Sequence, residues 1–278
     1  MSESKLLADQ LGPYVSHPPV AAACDLSKRT FNQLSKLRGG DVHEGETGRE
    51  HLVSRLLHLA ESTSTALRIN ATWSLSLPAM SLLRDRYEQT VRFSWLARQT
   101  DSKELAAFVD NYYAKSAKIF GGITPAQWAE LDGVAKVTPQ VPLTKEEKKN
   151  LSRWENLDLF SMAQKRDALA PKTPSVVESQ TLGDMYTPVY RQFSSVTHCD
   201  AFALNMLRLY RNPKGMLVLS VDPQWPAVLC IMNAMFDIIQ AHDAVSGFGE
   251  LPVMDGFDAL LAEWVAVRDK SLGEPGAK

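Results

Sequence analysis

Cysteine is scarce in this 278-residue chain: Cys24, Cys199 and Cys230 are odd in number and scattered. That excludes a disulfide framework and the paired spacings of a structural zinc site, and it fits a reducing cytoplasm. No phosphate-cradling glycine loop, dinucleotide fingerprint, nucleophile-elbow serine or H-E-x-x-H pair is present. Long apolar runs are missing too. The longest, Trp225 to Met232, is too short to span a bilayer. The first residues, M-S-E-S-K-L-L-A-D-Q, lack the apolar core of a secretory leader. Charge of one sign is also missing. With 30 basic and 32 acidic residues the net charge is -2, which argues against non-specific nucleic-acid binding while allowing a local basic cleft. These absences predict a cytoplasmic protein with no membrane segment.

What is present is helical periodicity. The apolar share of 45% supports a real core, and no alternation of strand and helix appears. The expected class is all-α, an irregular helical bundle, with one extended segment near 216–221. Residues 1–44 read as an irregular N-terminal segment with one short helix, because Pro13, Pro18 and Pro19 oppose a long one and the pattern starts only at Asp25. A single helical domain follows over 45–272, and 273–278 form a disordered tail. Helices are expected over 48–69 (stripe Leu52, Leu56, Leu57, Leu59, Ala60), 77–99, 101–122, 124–131, 144–149, 151–169, 187–210, 223–245 and 255–265. The helix starting at Pro223 is apolar almost all round and should be central. His242 and Asp243 fall at its end, where the helix dipole favours a histidine.

Two stretches carry chemistry. From Tyr186 to Tyr210 the chain reads Y-T-P-V-Y-R-Q-F-S-S-V-T-H-C-D-A-F-A-L-N-M-L-R-L-Y. On one helix, Thr187, Arg191, Ser194, His198, Ala201, Asn205 and Arg208 would share a face, opposite Val189, Phe193, Val196, Leu204 and Leu207, with Tyr186 and Tyr190 at the flank. Between Thr181 and Asn212 there is no Lys and no Glu, although these residues suit a solvated helix face. The depletion favours a cleft, a subunit interface or a polar core layer over plain solvent. In the second stretch, Arg84 and Glu88 stand one turn apart inside the apolar arc of Leu77, Met80, Tyr87, Val91 and Trp95. Charges in such an arc are expected to be buried and paired, fixing packing, positioning a cleft, or both. His51, His58 and Glu61 are ligand types on one helix side, but partly exposed histidines explain them better than a metal, and no cofactor is expected.

R-x3-E (Arg84, Glu88) followed by Y-x3-Y-x3-S-x3-H (Tyr186, Tyr190, Ser194, His198) resembles a bacterial, all-helical family of unknown function, over about Leu77 to Tyr210. More weakly, Arg191 and His198 form an R-x6-H pair similar to the R-x4–6-H hallmark of the HEPN superfamily. That likeness implies a HEPN-like bundle acting as a metal-independent endoribonuclease in a toxin or antiphage system, usually as a homodimer, with RNA as substrate and a partner protein from the same system. His198 would be base and acid, and Arg191 would stabilise the phosphate. Arg84, Glu88, Tyr186, Tyr190, Ser194 and Asn205 would line the binding site. The residue types suit that chemistry: an imidazole ordinarily titrates near ~6.5, and a guanidinium fork matches phosphorane oxygens. The competing reading is a non-catalytic interaction or sensor module whose Arg84, Glu88 and His198 belong to a buried structural network.

Overall fold

The computed structural model describes residues 18–37, 48–73, 75–99, 145, 158–169, 181–198, 200–211, 215, 217–220, 224–247 and 257–272. These are mostly helical, and the all-α class holds. Helix α1 spans Pro18–Leu37, α2 Gly48–Thr72, α3 Ser76–Arg98 and α4 Leu159–Leu169. A π-helix at Tyr186–Arg191 runs directly into α5 (Gln192–Thr197), and α6 (Ala201–Met206) follows. Helices α7 (Trp225–Gly247) and α8 (Phe257–Leu272) complete the order. The expected extended segment near 216–221 is β2 (Leu217–Ser220), paired antiparallel with β1 (Arg208–Arg211) so that Leu209 faces Leu219. Gly215, between them, has φ +77, a conformation that glycine adopts without a Cβ clash. The helices expected within 101–157 lie outside the described residues, apart from Lys145, which is helical.

Helix α7 is the centre. Leu229, Cys230, Ile231, Ala234, Phe236, Ile238, Ile239 and Ala241 are all buried along it, as a helix apolar over most of its circumference requires. It packs against α1, α2, α3 and α8, and Trp264 of α8 donates its indole N–H to the Ile231 carbonyl at 3.0 Å. Helix α3 is the second axis. Its inner face buries Met80, Leu83, Tyr87, Val91 and Trp95, and it meets α2, α4, α7, the π-helix and α5.

Three expectations need correction. Pro18 and Pro19 do not prevent a long N-terminal helix: they form the first turn of the 20-residue α1, where the amide hydrogens they lack would have no intrahelical acceptor. Helix α1 then supplies Val20, Ala23, Leu26 and Phe31 to the core. In α2 the buried stripe is Val53, Ala60, Leu67 and Ala71, while Leu59 is exposed. The expected helix to Tyr210 is broken. Helix α5 ends at Thr197, His198 leaves the helical region at φ -93, ψ 4, and the Asp200 amide bonds the Ser195 carbonyl at 3.1 Å. Arg208, Leu209 and Tyr210 are strand residues.

Candidate functional site

The π-helix and α5 lie on α3, and polar contacts fix them from both ends. At the entry, the buried Tyr87 hydroxyl of α3 donates to the Leu182 carbonyl at 2.6 Å. Burial, aided by Asp167 nearby, pushes that phenol's pKa up. Asp167 of α4 accepts the amides of Leu182 and Gly183 at 3.2 and 2.8 Å. Further along, Arg84 Nη2 donates to the Tyr190 hydroxyl at 3.0 Å and Arg84 Nε to Ser194 Oγ at 3.4 Å. Ser194 Oγ donates in turn to the Tyr190 carbonyl at 2.6 Å. The Arg84 guanidinium also sits 4.8 Å from the Tyr190 ring centroid, within cation–π range.

Glu88 Oε2 lies 3.6 Å from Arg84, while Glu88 Oε1 accepts from Arg92 at 2.8 Å. Glu88 is thus engaged by two arginines. The Arg84 and Glu88 side chains are 24% and 28% exposed, so the pair stands at the margin of the core rather than within it. Burial works against the charge on Arg84, but Asp85, Tyr190 and Glu88 outweigh it and strengthen its hold on the proton. Tyr186 stacks on Tyr190 with centroids 5.2 Å apart and planes 21° from parallel, and Tyr87 touches both rings. The π-helical turn sets this geometry: its wider i→i+5 closure, seen in the Gln192 amide bonding the Thr187 carbonyl, brings residues four apart into register.

The structure thus brings Arg84, Glu88, Tyr186, Tyr190 and Ser194 together. Arg191 and His198 are both exposed. His198 follows Ser194 by one turn, its amide bonding the Ser194 carbonyl at 3.0 Å. Asn205 is on α6, across the break, and is exposed. Thr187 and Arg208 are exposed as well. The shared polar face is therefore no buried layer: a segment packed on α3 along one side leaves its other side open, whatever its content of Lys and Glu. His58 is exposed and Glu61 partly so; the side chain of His51 lies outside the described residues. Among the described residues no three His, Cys, Asp or Glu converge to hold a metal, and no helix is long and apolar enough to cross a membrane.

Sequence reasoning missed two charged clusters that hold the frame. In the first, Arg86 of α3 and Asp237 of α7 are fully buried, with Nη2 and Oδ1 2.6 Å apart. Ser27 of α1 donates to Asp237 Oδ2, Ser64 of α2 lies 3.4 Å from it, and Arg86 also donates to Gln240 at 2.9 Å. Asn233 Nδ2 donates to Ser64 Oγ at 2.8 Å. Burial pushes the Asp237 carboxyl up and the Arg86 guanidinium down, and their contact opposes both shifts without reversing either. In the second, Asp243 accepts two bonds from Arg166 of α4, at 2.8 and 2.9 Å, and one from Arg98 of α3. Arg98 also reaches His242 Nδ1 at 2.9 Å. A signal was available: Asn233, Asp237, Gln240 and Asp243 recur every three or four residues in an otherwise apolar helix. Read as a set, they predict a polar seam facing buried partners.

No curated protein and no solved structure matches the chain. Residues 51–215 match a family model of unknown function, a span running from α2 to the hairpin and enclosing Arg84, Glu88 and the whole π-helix–α5–α6 segment, whereas Asp237 and Asp243 lie beyond it. On that match, which covers more than half its length, the chain belongs to the family of unknown function DUF5677.

Proposed function

We propose that the protein is a metal-independent endoribonuclease of HEPN type, working in the cytoplasm as a toxin or antiphage effector. The observation that carries this reading is Arg84, a partly exposed guanidinium held by Tyr190 and by Ser194, the residue that precedes the exposed His198 by one helical turn. An exposed imidazole on a segment anchored by an arginine suits a phosphodiester. His198 would take the proton of the 2′-hydroxyl, and the O2′ would attack phosphorus as the bond to the 5′-oxygen breaks. Arg191 would balance the charge on the phosphorane oxygens. A second His198, from another copy of the chain, would protonate the leaving 5′-oxygen. The products are a 2′,3′-cyclic phosphate and a 5′-hydroxyl.

The test is a mixed RNA pool incubated in EDTA with purified wild type or His198→Ala. Wild type should cut and leave cyclic ends; the variant should lose at least ~10²-fold in rate, the usual weight of a general base. Its melting temperature should hold, since the side chain is exposed.

A second reading is a non-catalytic interaction or sensor module, favoured by an exposed apolar patch on the hairpin. Leu209 and Leu217 are 67% and 63% exposed, and the strand register puts both on one face. Such a patch suits a protein surface, either a second copy or a partner from the same system. Failure of both proteins to cut any RNA supports this reading over the first.

A further inference from the structure

Cys24 of α1 and Cys230 of α7 are 206 positions apart in sequence, yet their sulfurs are 3.6 Å apart across the interface of the two helices. Both are free thiols. They differ in access: Cys230 is buried, whereas Cys24 is partly exposed and lines an open cavity of about 440 Å³ between α1 and α2. Lys28, Glu61, Thr65 and Arg68 share that wall. Arg68 is tethered there, donating to Thr65 Oγ1 at 2.9 Å.

We propose that Cys24 is an oxidation site for small hydroperoxides admitted through this cavity, with Cys230 as its resolving thiol. The Cys24 thiolate attacks one peroxide oxygen. The S–O bond forms as the O–O bond breaks, and the departing hydroxide takes up the proton that Cys24 released, giving water and a sulfenic acid. The Cys230 sulfur then attacks the Cys24 sulfur. The S–S bond forms, the S–O bond breaks, and the hydroxyl leaves as water with the Cys230 proton. Overall two thiols lose two electrons and one hydrogen peroxide becomes two waters.

The asymmetry of the pair suits these roles. The hydrogen-bonded contact with Cys230 holds the Cys24 thiol below its ordinary value against the effect of burial, and Arg68 lowers it further. The bond to Cys24, together with burial, pushes the Cys230 thiol well up. The more accessible sulfur is thus the better thiolate, and the sheltered one stays protonated until a sulfenic acid forms beside it. The two sulfurs need to close by roughly 1.5 Å to reach a disulfide bond length.

The full-length protein is treated with hydrogen peroxide, denatured in alkylating agent, and mapped by peptide mass. The proposal expects a Cys24–Cys230 cross-linked peptide that dithiothreitol releases, with Cys199 still alkylated. In Cys230→Ser, a dimedone adduct should accumulate on Cys24. In Cys24→Ser, oxidation of Cys230 should slow by roughly tenfold or more, as expected when the accessible thiolate is removed. The wild-type map needs no variant, so a variant that fails to fold does not decide the outcome. Cys24 remaining fully alkylated after peroxide, or a cross-link through Cys199 instead, overturns the proposal.

Discussion

Replacing Asp243 by Asn keeps the shape of the side chain and removes its charge at the place where three helices are tied. Asp243 is fully buried and answers two guanidiniums, Arg166 through two bonds and Arg98 through one. Burial pushes its carboxyl up, but Arg166, then His242 and Arg98, more than reverse that and hold it at about 2 against an ordinary 3.8. At ~1.4 kcal/mol for each unit of that gap, the pairing contributes ~2 kcal/mol at neutral pH. Leaving two buried arginines without a carboxylate sets an upper figure of ~3–5 kcal/mol, the usual result of breaking a buried ion pair.

The expected loss in Asp243→Asn is therefore ~2–5 kcal/mol, which at ~2–4 °C per kcal/mol lowers the melting temperature by roughly 5–20 °C. The sign with pH follows from the depressed carboxyl. Its stabilisation is complete above the unfolded value of 3.8 and fades as pH falls through the folded value of about 2. Urea denaturation followed by circular dichroism should thus show the gap between wild type and variant narrowing below about pH 4. A difference under ~1 kcal/mol at neutral pH, or a gap constant with pH, refutes the argument.

Other perturbations separate the frame from the surface site. Tyr87→Phe orphans the buried Leu182 carbonyl and should cost ~1–3 kcal/mol in chemical denaturation; it should also loosen the start of the π-helix, read as faster amide exchange there. Asp237→Leu alone should lose ~3–5 kcal/mol, whereas adding Arg86→Met should recover most of it, because the pair's desolvation cost disappears with both charges. A double variant as unstable as the sum of its parts would rule that out. His198→Ala should leave melting within ~0.5 kcal/mol of wild type, as surface substitutions usually do, so that any lost RNA cleavage reports on chemistry.

Much of the frame was legible in the sequence. Helices α2, α3 and α7 announce themselves by periodicity, and β2 by its place after the turn R-N-P-K-G. The Arg84–Glu88 pairing followed from helical spacing alone. The break after Thr197 was harder to see, because no glycine or proline marks it. Asp200, a good N-cap residue just before Ala201, was the sign of a new start. The buried clusters escaped because sequence patterns rank Asp and Arg as surface residues one at a time, and only tertiary contact shows which meets which. Arg84 and Glu88 drew notice inside an apolar arc, yet the fully buried arginine of that helix is Arg86, two residues on and aimed at α7.

The π-helical turn holds one residue more than an α turn of the same sweep. Upstream, Asp167 fixes residues 182 and 183; downstream, burial fixes Phe193 and Val196. One residue fewer within 187–189 would let ordinary α geometry close between those same two anchors. Ser194 and His198 would then keep their places, while Tyr186 and Tyr190 would lose the spacing that stacks their rings. The aromatic stack depends on the count of residues in this turn, and the exposed histidine does not.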